Sequence, residues 1–423
     1  MNLNDLISKN QIFALTAKAL EGSKVIITNL LIARFFEPDD FGRYSFILGI
    51  TSLLAVIAEF RLQNVLVKEI TCDSEPPSRL LGSALVANLI FAVIGILLVL
   101  AYSAYESDKT VAIGLAIYSI SFLYKIPRTF RAQFLAEEKN ILIAKCEIAA
   151  SMATLSITLA FIAYEFSLLW IVFARSIDFL AIGILLTYYH KKNTPLKISY
   201  KSSTAKRLIN LSAPLVFSGA AMILFQRLDI ILVRHYLGDF SAGIYSSATT
   251  LMLMFSITPI VVSETLAPKM FKNINLENYP SVKQKFSDII VTTGMAMSAL
   301  MFTTAYFATT LIFGESYQDA KIPALILSIT PLLTALGAAS GQIIVADGNQ
   351  NRAFIKSVVA CIINTILNIA LIPKYGIHGA AMSTVIGLFI ANYAAHFFMD
   401  IYKYLFIIQS KSLFLPYKPR TQI

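Results

Sequence analysis

A lysine, a glutamate and a second lysine, Lys18, Glu21 and Lys24, interrupt a long apolar run near the start of the chain. They stand three residues apart, so successive members share a face of a helix. Arg175 and Asp178 stand three apart in a later apolar run, and Arg227 and Asp229 interrupt another. A charge at the centre of a bilayer costs about 2.5–3.5 kcal/mol on insertion scales, so such groups pair or face a water-filled cavity. Snorkelling to the interface suits Lys18 better than Lys24. The bases Lys18, Lys24, Arg175 and Arg227 outnumber the acids Glu21, Asp178 and Asp229. A lumen with that balance suits an anion, above all a pyrophosphate, whose charge several fixed donors can hold. It does not suit a cationic drug. The three acids are the mid-span groups able to take H⁺ or Na⁺ for coupling. The competing use of each charge is a structural ion pair: Asp178 with Arg175 or with Lys24, and Asp229 with Arg227. Lys125, Arg128 and Arg131 repeat the three-residue spacing at an inner helix end. Headgroup contact accounts for most of that trio, and Arg128 is taken as a substrate contact.

The elements that carry these groups follow from composition. The chain has 423 residues, 57% hydrophobic and only 14% charged, with a mean hydropathy of +0.68. A soluble domain carries about a quarter charged residues, so this is an all-α, multi-pass membrane protein. About 20 residues of helix cross a bilayer core. That ruler gives about twelve spans, near 10–34, 41–66, 79–104, 110–131, 141–164, 167–189, 207–236, 241–266, 286–312, 320–346, 354–373 and 377–402. With both termini in the cytoplasm, most of the 35 Lys and Arg fall on the inside. Only Arg34, Arg43, Lys109, Arg234, Lys321 and Lys374 then face outward. That is the asymmetry of cytoplasmic loops, and it accounts for the net charge of +10 without nucleic acid. Phe35, Phe36, Tyr102, Tyr105 and Trp170 fall at outer helix ends as an interfacial belt. No cleavable signal peptide is expected.

Other chemistries lack their residues. The three cysteines, Cys72, Cys146 and Cys361, have no ligand spacing. The four histidines form no metal or triad pattern, so neither a metal nor a cofactor is expected. No phosphate-binding GxxxxGK[ST] loop occurs, so the chain does not hydrolyse ATP. Nothing points to an enzyme, and the large outer loop of a sugar-chain polymerase is missing.

The chain repeats itself. Arg34 answers Arg234, Gly42-x-Tyr44-Ser45 answers Gly243-x-Tyr245-Ser246, and Lys68 answers Lys269. Six spans separate the copies, so both have one orientation. The expectation is two six-helix lobes, residues 1–205 and 206–423, around a central cleft, with access that alternates as the lobes rock. The first lobe ends in a basic linker, the second in a basic tail.

The turn Phe35–Ser45, Arg227-x-Asp229 followed by Tyr236-Leu237-Gly238, and the stretch Ile372-Pro373-Lys374-Tyr375-Gly376-Ile377-His378-Gly379-Ala380-Ala381 resemble the turns of the bacterial O-antigen and polysaccharide flippases (Wzx-type). These belong to the multidrug, oligosaccharidyl-lipid and polysaccharide exporter superfamily. The resemblance in layout covers the whole chain. It implies a MATE-like fold of twelve helices and a cationic central cavity. It also implies translocation of an undecaprenyl-pyrophosphate-linked oligosaccharide, an O-antigen or capsule repeat unit, to the outer leaflet of the bacterial cytoplasmic (inner) membrane. Partners would be the lipid-linked oligosaccharide, membrane lipids, H⁺ or Na⁺ as coupling ion, and glycan polymerase and chain-length proteins. A drug or metabolite antiporter of the same superfamily is the alternative function, and a membrane glycan-processing enzyme a weaker one.

Overall fold

The computed structural model describes residues 9–72, 74–193, 198–349 and 353–414, and these are almost wholly helical. In chain order the helices are α1 (Lys9–Phe35), α2 (Pro38–Thr71), α3 (Pro77–Tyr105), α4 (Lys109–Ala136), α5 (Asn140–Ala163) and α6 (Leu168–Asn193). A long pair follows, α7 (202–237) and α8 (239–271), divided at Gly238, whose φ of 84° ends the first helix. Then come α9 (Tyr279–Phe313), α10 (Glu315–Leu327 continuing after a 44° bend as Thr330–Ala346), α11 (Ala353–Tyr375), α12 (Ile377–Phe398) and the short α13 (Lys403–Phe414).

Among the described residues nine helices are long and apolar enough to cross a membrane, or ten if the bent α10 is one span. The sequence expectation was twelve. The difference lies in α1 and in the α7–α8 pair. The charge-bearing α1 is not among the nine, and α7 and α8 count as a single 53-residue stretch from Gly219. The outward faces are apolar. On α3, Leu89, Ile90, Val93, Ile94 and Leu97 are all exposed, as the lipid-facing side of a bundle requires.

Contacts divide the chain into two compact units, one of residues 1–28 and 43–227, the other of 29–42 and 228–423. The first has its core where α2, α3, α4 and α6 meet the start of α7, around Leu62, Leu66, Leu81, Phe134, Leu186 and Leu208. At the head of its α4, Asp108 caps the helix through the Thr110 and Val111 N–H groups and accepts from Arg43 at 2.8 Å. Burial alone would raise this carboxyl. The three donors outweigh it and hold Asp108 below the ordinary range.

The second unit packs α8 with α9, α10 and α13 around Ala267, Met270, Phe286, Ile290 and Leu405. It also contains the turn between α1 and α2. That turn is tied in by Tyr317, whose hydroxyl donates to the Phe36 carbonyl at 3.3 Å, and by Asn29, which donates to Thr250 at 3.2 Å.

The two repeated glycines meet inside this unit. A Cβ on Gly42 would lie 2.0 Å from the Asp239 carbonyl oxygen, and a Cβ on Gly243 would lie 1.8 Å from that of Pro38. Each glycine therefore seats against the backbone of the other turn. That mutual seat is a physical reason for glycine at both places. We expect Gly42→Ala and Gly243→Ala each to cost at least about 1–3 kcal/mol, the penalty of overpacking. Gly341→Ala, which meets nothing within 4 Å, should leave stability unchanged or raised. The thermal midpoint and monodisperse yield of the detergent-purified protein check this. Unchanged values for both turn variants would refute the seat.

Candidate functional site

In the first unit, α1 crosses α5 and α6 at Lys24. Its Nζ lies 2.7 Å from Asp178 Oδ2 and donates also to Ser151 Oγ at 3.0 Å. Thr154 Oγ1 donates to the other Asp178 oxygen at 3.3 Å. Lys24 is 5% exposed and Asp178 3%, so the pair is dry. Spacing alone left Asp178 to either Arg175 or Lys24, and the structure brings Lys24 into contact with it. The side chains of Lys18 and Glu21 lie outside the described residues.

Arg175 stands one turn before Asp178 on α6, and Arg227 lies near the end of α7, both half-buried. Each exerts its field on two buried phenols, Tyr44 of α2 and Tyr118 of α4. Two half-buried guanidiniums thus lie within electrostatic reach of two buried phenols. Guanidinium keeps its charge when desolvated and presents planar forks of donors, and a phenol O–H adds a neutral donor. Such a set can hold an oxyanion. Tyr44 was legible in the repeated Gly-x-Tyr-Ser. Tyr118 carried no signal beyond being an aromatic in an apolar run.

In the second unit, Asp229 is 8% exposed. Its Oδ2 accepts from Tyr245 at 2.8 Å, and Tyr245 in turn contacts Thr384 at 3.1 Å. The neighbouring Ser383 carbonyl accepts from Asn364, whose own side-chain oxygen accepts from Asn368, both at 3.0 Å. Asn364 and Asn368 are one turn apart on α11 and fully buried, and the Asn368 Oδ1 has no partner. A seam of oxygens therefore runs from a carboxylate to an unsatisfied carbonyl. The Asn-x-x-x-Asn spacing in an apolar helix was the overlooked signal. Arg128, the remaining candidate, sits in a 3₁₀ turn within α4 and lines a cavity with Glu59 and Lys125. Among the described residues no three His, Cys, Asp or Glu side chains group to hold a metal ion.

Residues 7–274 match the profile of the polysaccharide biosynthesis proteins. The chain belongs to that family. It is 25% identical over 402 residues to the capsular polysaccharide biosynthesis protein CapF of Staphylococcus aureus, covering 92% of this chain and 98% of that one. It is 22% identical over 376 residues to a probable low-salt glycan biosynthesis flippase, Agl15, of Haloferax volcanii, covering 86% and 77%. Among solved structures it shares the fold of the lipid II flippase MurJ in an inward closed conformation. The TM-score is 0.75 at 15% identity, over 95% of this chain and 91% of that one. An inward-facing multidrug resistance MATE transporter gives 0.70 at 13% identity, over 92% and 94%. The fold is therefore MATE-like, as the turn motifs implied.

The Lys24–Asp178 contact generates a test. Removing one partner of a buried pair strands the other charge, at about 3–5 kcal/mol. Lys24→Met alone should lower thermal stability strongly, and Lys24→Met with Asp178→Asn should restore most of it. A double variant as unstable as the single one would mean that the pair does not hold α1 to α6.

Proposed function

We propose that the protein flips an undecaprenyl-pyrophosphate-linked oligosaccharide from the inner to the outer leaflet of the cytoplasmic membrane, with both termini cytoplasmic. The observation that carries this reading is a pair of half-buried guanidiniums, Arg175 and Arg227, in the apolar helices of the first unit. Pyrophosphate is a compact dianion or more, and fixed forks of donors suit it. Family membership and the likeness to CapF favour a capsule repeat unit as the glycan. The O-antigen unit implied by the turn motifs shares the same lipid pyrophosphate.

In this reading Arg175 and Arg227 hold the substrate pyrophosphate. Lys24, and Lys18 with it, contribute positive potential from α1. Asp229, supported by its oxygen seam, takes the coupling H⁺ or Na⁺, while Asp178 keeps Lys24 charged and in place. Glu21 is the further acid available for coupling. Glycan polymerase and chain-length proteins would receive the flipped unit. Most of the basic residues lie on the side assigned to the cytoplasm, which supports the orientation.

The test is a strain lacking the gene, complemented with wild type or with Arg175→Ala, Arg227→Ala or Asp229→Asn. Each arginine variant should cut surface polysaccharide about tenfold or more, the cost of one charge-assisted contact, at unchanged protein level in the membrane. Asp229→Asn should slow transport while leaving substrate binding intact. Normal polysaccharide in both arginine variants sinks the assignment. Drug hypersensitivity of the deletion strain with intact polysaccharide would favour the antiporter alternative.

A further inference from the structure

Two helices of the first unit break beside one cavity. In α2, Phe60 and Arg61 take left-handed backbone, with φ of 44° and 52°. In α4, Pro127 sits in a single 3₁₀ turn, Ile126–Arg128. Left-handed backbone at bulky residues costs of order 1–3 kcal/mol each and persists where the surroundings impose it. Irregular backbone inside a membrane is tolerated where it is packed in protein or lines a water-filled cavity. Here the breaks adjoin a cavity of about 80 Å³, whose polar wall is Glu59, Gln63, Asn88, Lys125, Arg128 and Thr129.

The charges of this cavity do not balance. Lys125 Nζ donates to Glu59 Oε1 at 2.7 Å. Lys125 also lies 4.4 Å from the centre of the Phe179 ring, and the Arg128 guanidinium 5.9 Å from it. Both cations therefore converge on one aromatic face of α6. Arg61 adds its field at Glu59, and its guanidinium rests against Gly219 of α7. Three cations share one carboxylate. The Arg128 Nε–H is buried and finds no hydrogen-bond partner among the described residues. Leaving a buried donor unmade costs about 1–3 kcal/mol, more when it is charged. A cluster serving only as a structural brace would supply an acid there. The Glu59 side chain, by contrast, is 46% exposed, so it can leave Lys125 for water at little cost.

We propose that this cavity binds a phosphoryl oxyanion, with Arg128 and Lys125 as its ligands and Glu59 as an internal carboxylate that the anion displaces from Lys125. The class covers the phosphate headgroup of a lipid and a free pyrophosphate alike. On the orientation given above, the cavity lies toward the cytoplasmic side, where a phosphate-linked lipid would first be held. That role rests on the flippase reading.

The probe is radiolabelled inorganic pyrophosphate, measured by equilibrium binding to the full-length protein in phosphatidylcholine nanodiscs and again with phosphatidylglycerol added. Wild type should bind. Arg128→Gln should weaken binding about tenfold or more, as for a lost charge-assisted bond. Glu59→Gln should tighten it several-fold, by removing the internal competitor. A folding defect cannot produce that gain. Competition by phosphatidylglycerol would show that lipid headgroups enter the site, and indifference to it would restrict the site to pyrophosphate. Equal binding by wild type and both variants, or no binding in either nanodisc, overturns the proposal. The assay reads binding without transport. Its failure leaves flipping intact, and a protein that binds here but moves no glycan fails the flippase reading alone.

Discussion

Two backbone turns pressed together without side chains between them are the constraint on which much of the second unit depends. Gly42 lies on the carbonyl of Asp239, and Gly243 on the carbonyl of Pro38. The approach is so close that even a methyl group has no place. Around it the geometry is fixed by ordinary means. Pro38 pre-sets the first turn of α2, and Asp39 and Asp40 place negative charge at its positive end. Gly238 supplies the left-handed break that lets α8 leave α7. Arg234 closes the second turn on Asp239. Two similar sequences, far apart in the chain, become one packed object, and Tyr317 locks its outer side through Phe36.

The same economy governs the charges. Lysine and arginine are used differently here, and the difference is physical. Lys24 is a compact ammonium in a dry crossing of α1, α5 and α6, satisfied by Asp178 and Ser151. A lysine placed there without an acid would carry an uncompensated desolvation cost. The arginines Arg175 and Arg227 need no such acid, because guanidinium stays protonated. The mildly cationic interior read from the sequence narrows to the arginines once Lys24 is matched with Asp178.

Much of the fold was legible because bilayer physics leaves few alternatives. Apolar stretches of fixed length, basic residues concentrated on one side and the Gly-x-Tyr-Ser recurrence each report a constraint that local sequence must satisfy. The site was legible in its residue types and less so in its pairings. Lys24, Asp178 and Asp229 announce themselves as charges in apolar helices. Nothing in spacing tells Asp178 to meet a lysine of α1, because that contact is set by how α1 crosses α6. Asn364, Asn368, Tyr118 and Thr384 stayed silent for a related reason. They are uncharged and tolerated in any membrane helix, and Asn364, Asn368 and Thr384 acquire meaning only as links in a contact chain from Asp229. The helix count differs for another reason: α1 carries five charged residues, and α7 runs into α8 through one glycine, so length and hydropathy alone mark neither α1 nor α7 as a separate span.

Where helices are broken, polar chemistry collects. The left-handed step in α2 and the 3₁₀ turn in α4 adjoin Glu59, Lys125 and Arg128. The π-helical segment Ile390–Ala394 of α12 frees Asn392, which donates to the Leu333 carbonyl while its own carbonyl accepts from Gln409. A regular membrane helix hides its backbone and can offer a ligand only side chains. Each break exposes backbone groups that must be satisfied, and polar side chains come to satisfy them. Such places are costly, so a fold keeps them only where the surrounding structure or a bound group returns the cost. In α12 the protein itself satisfies the freed groups. At the α2–α4 break it leaves an arginine donor unanswered. That contrast separates a break that only shapes a helix from one that awaits a ligand.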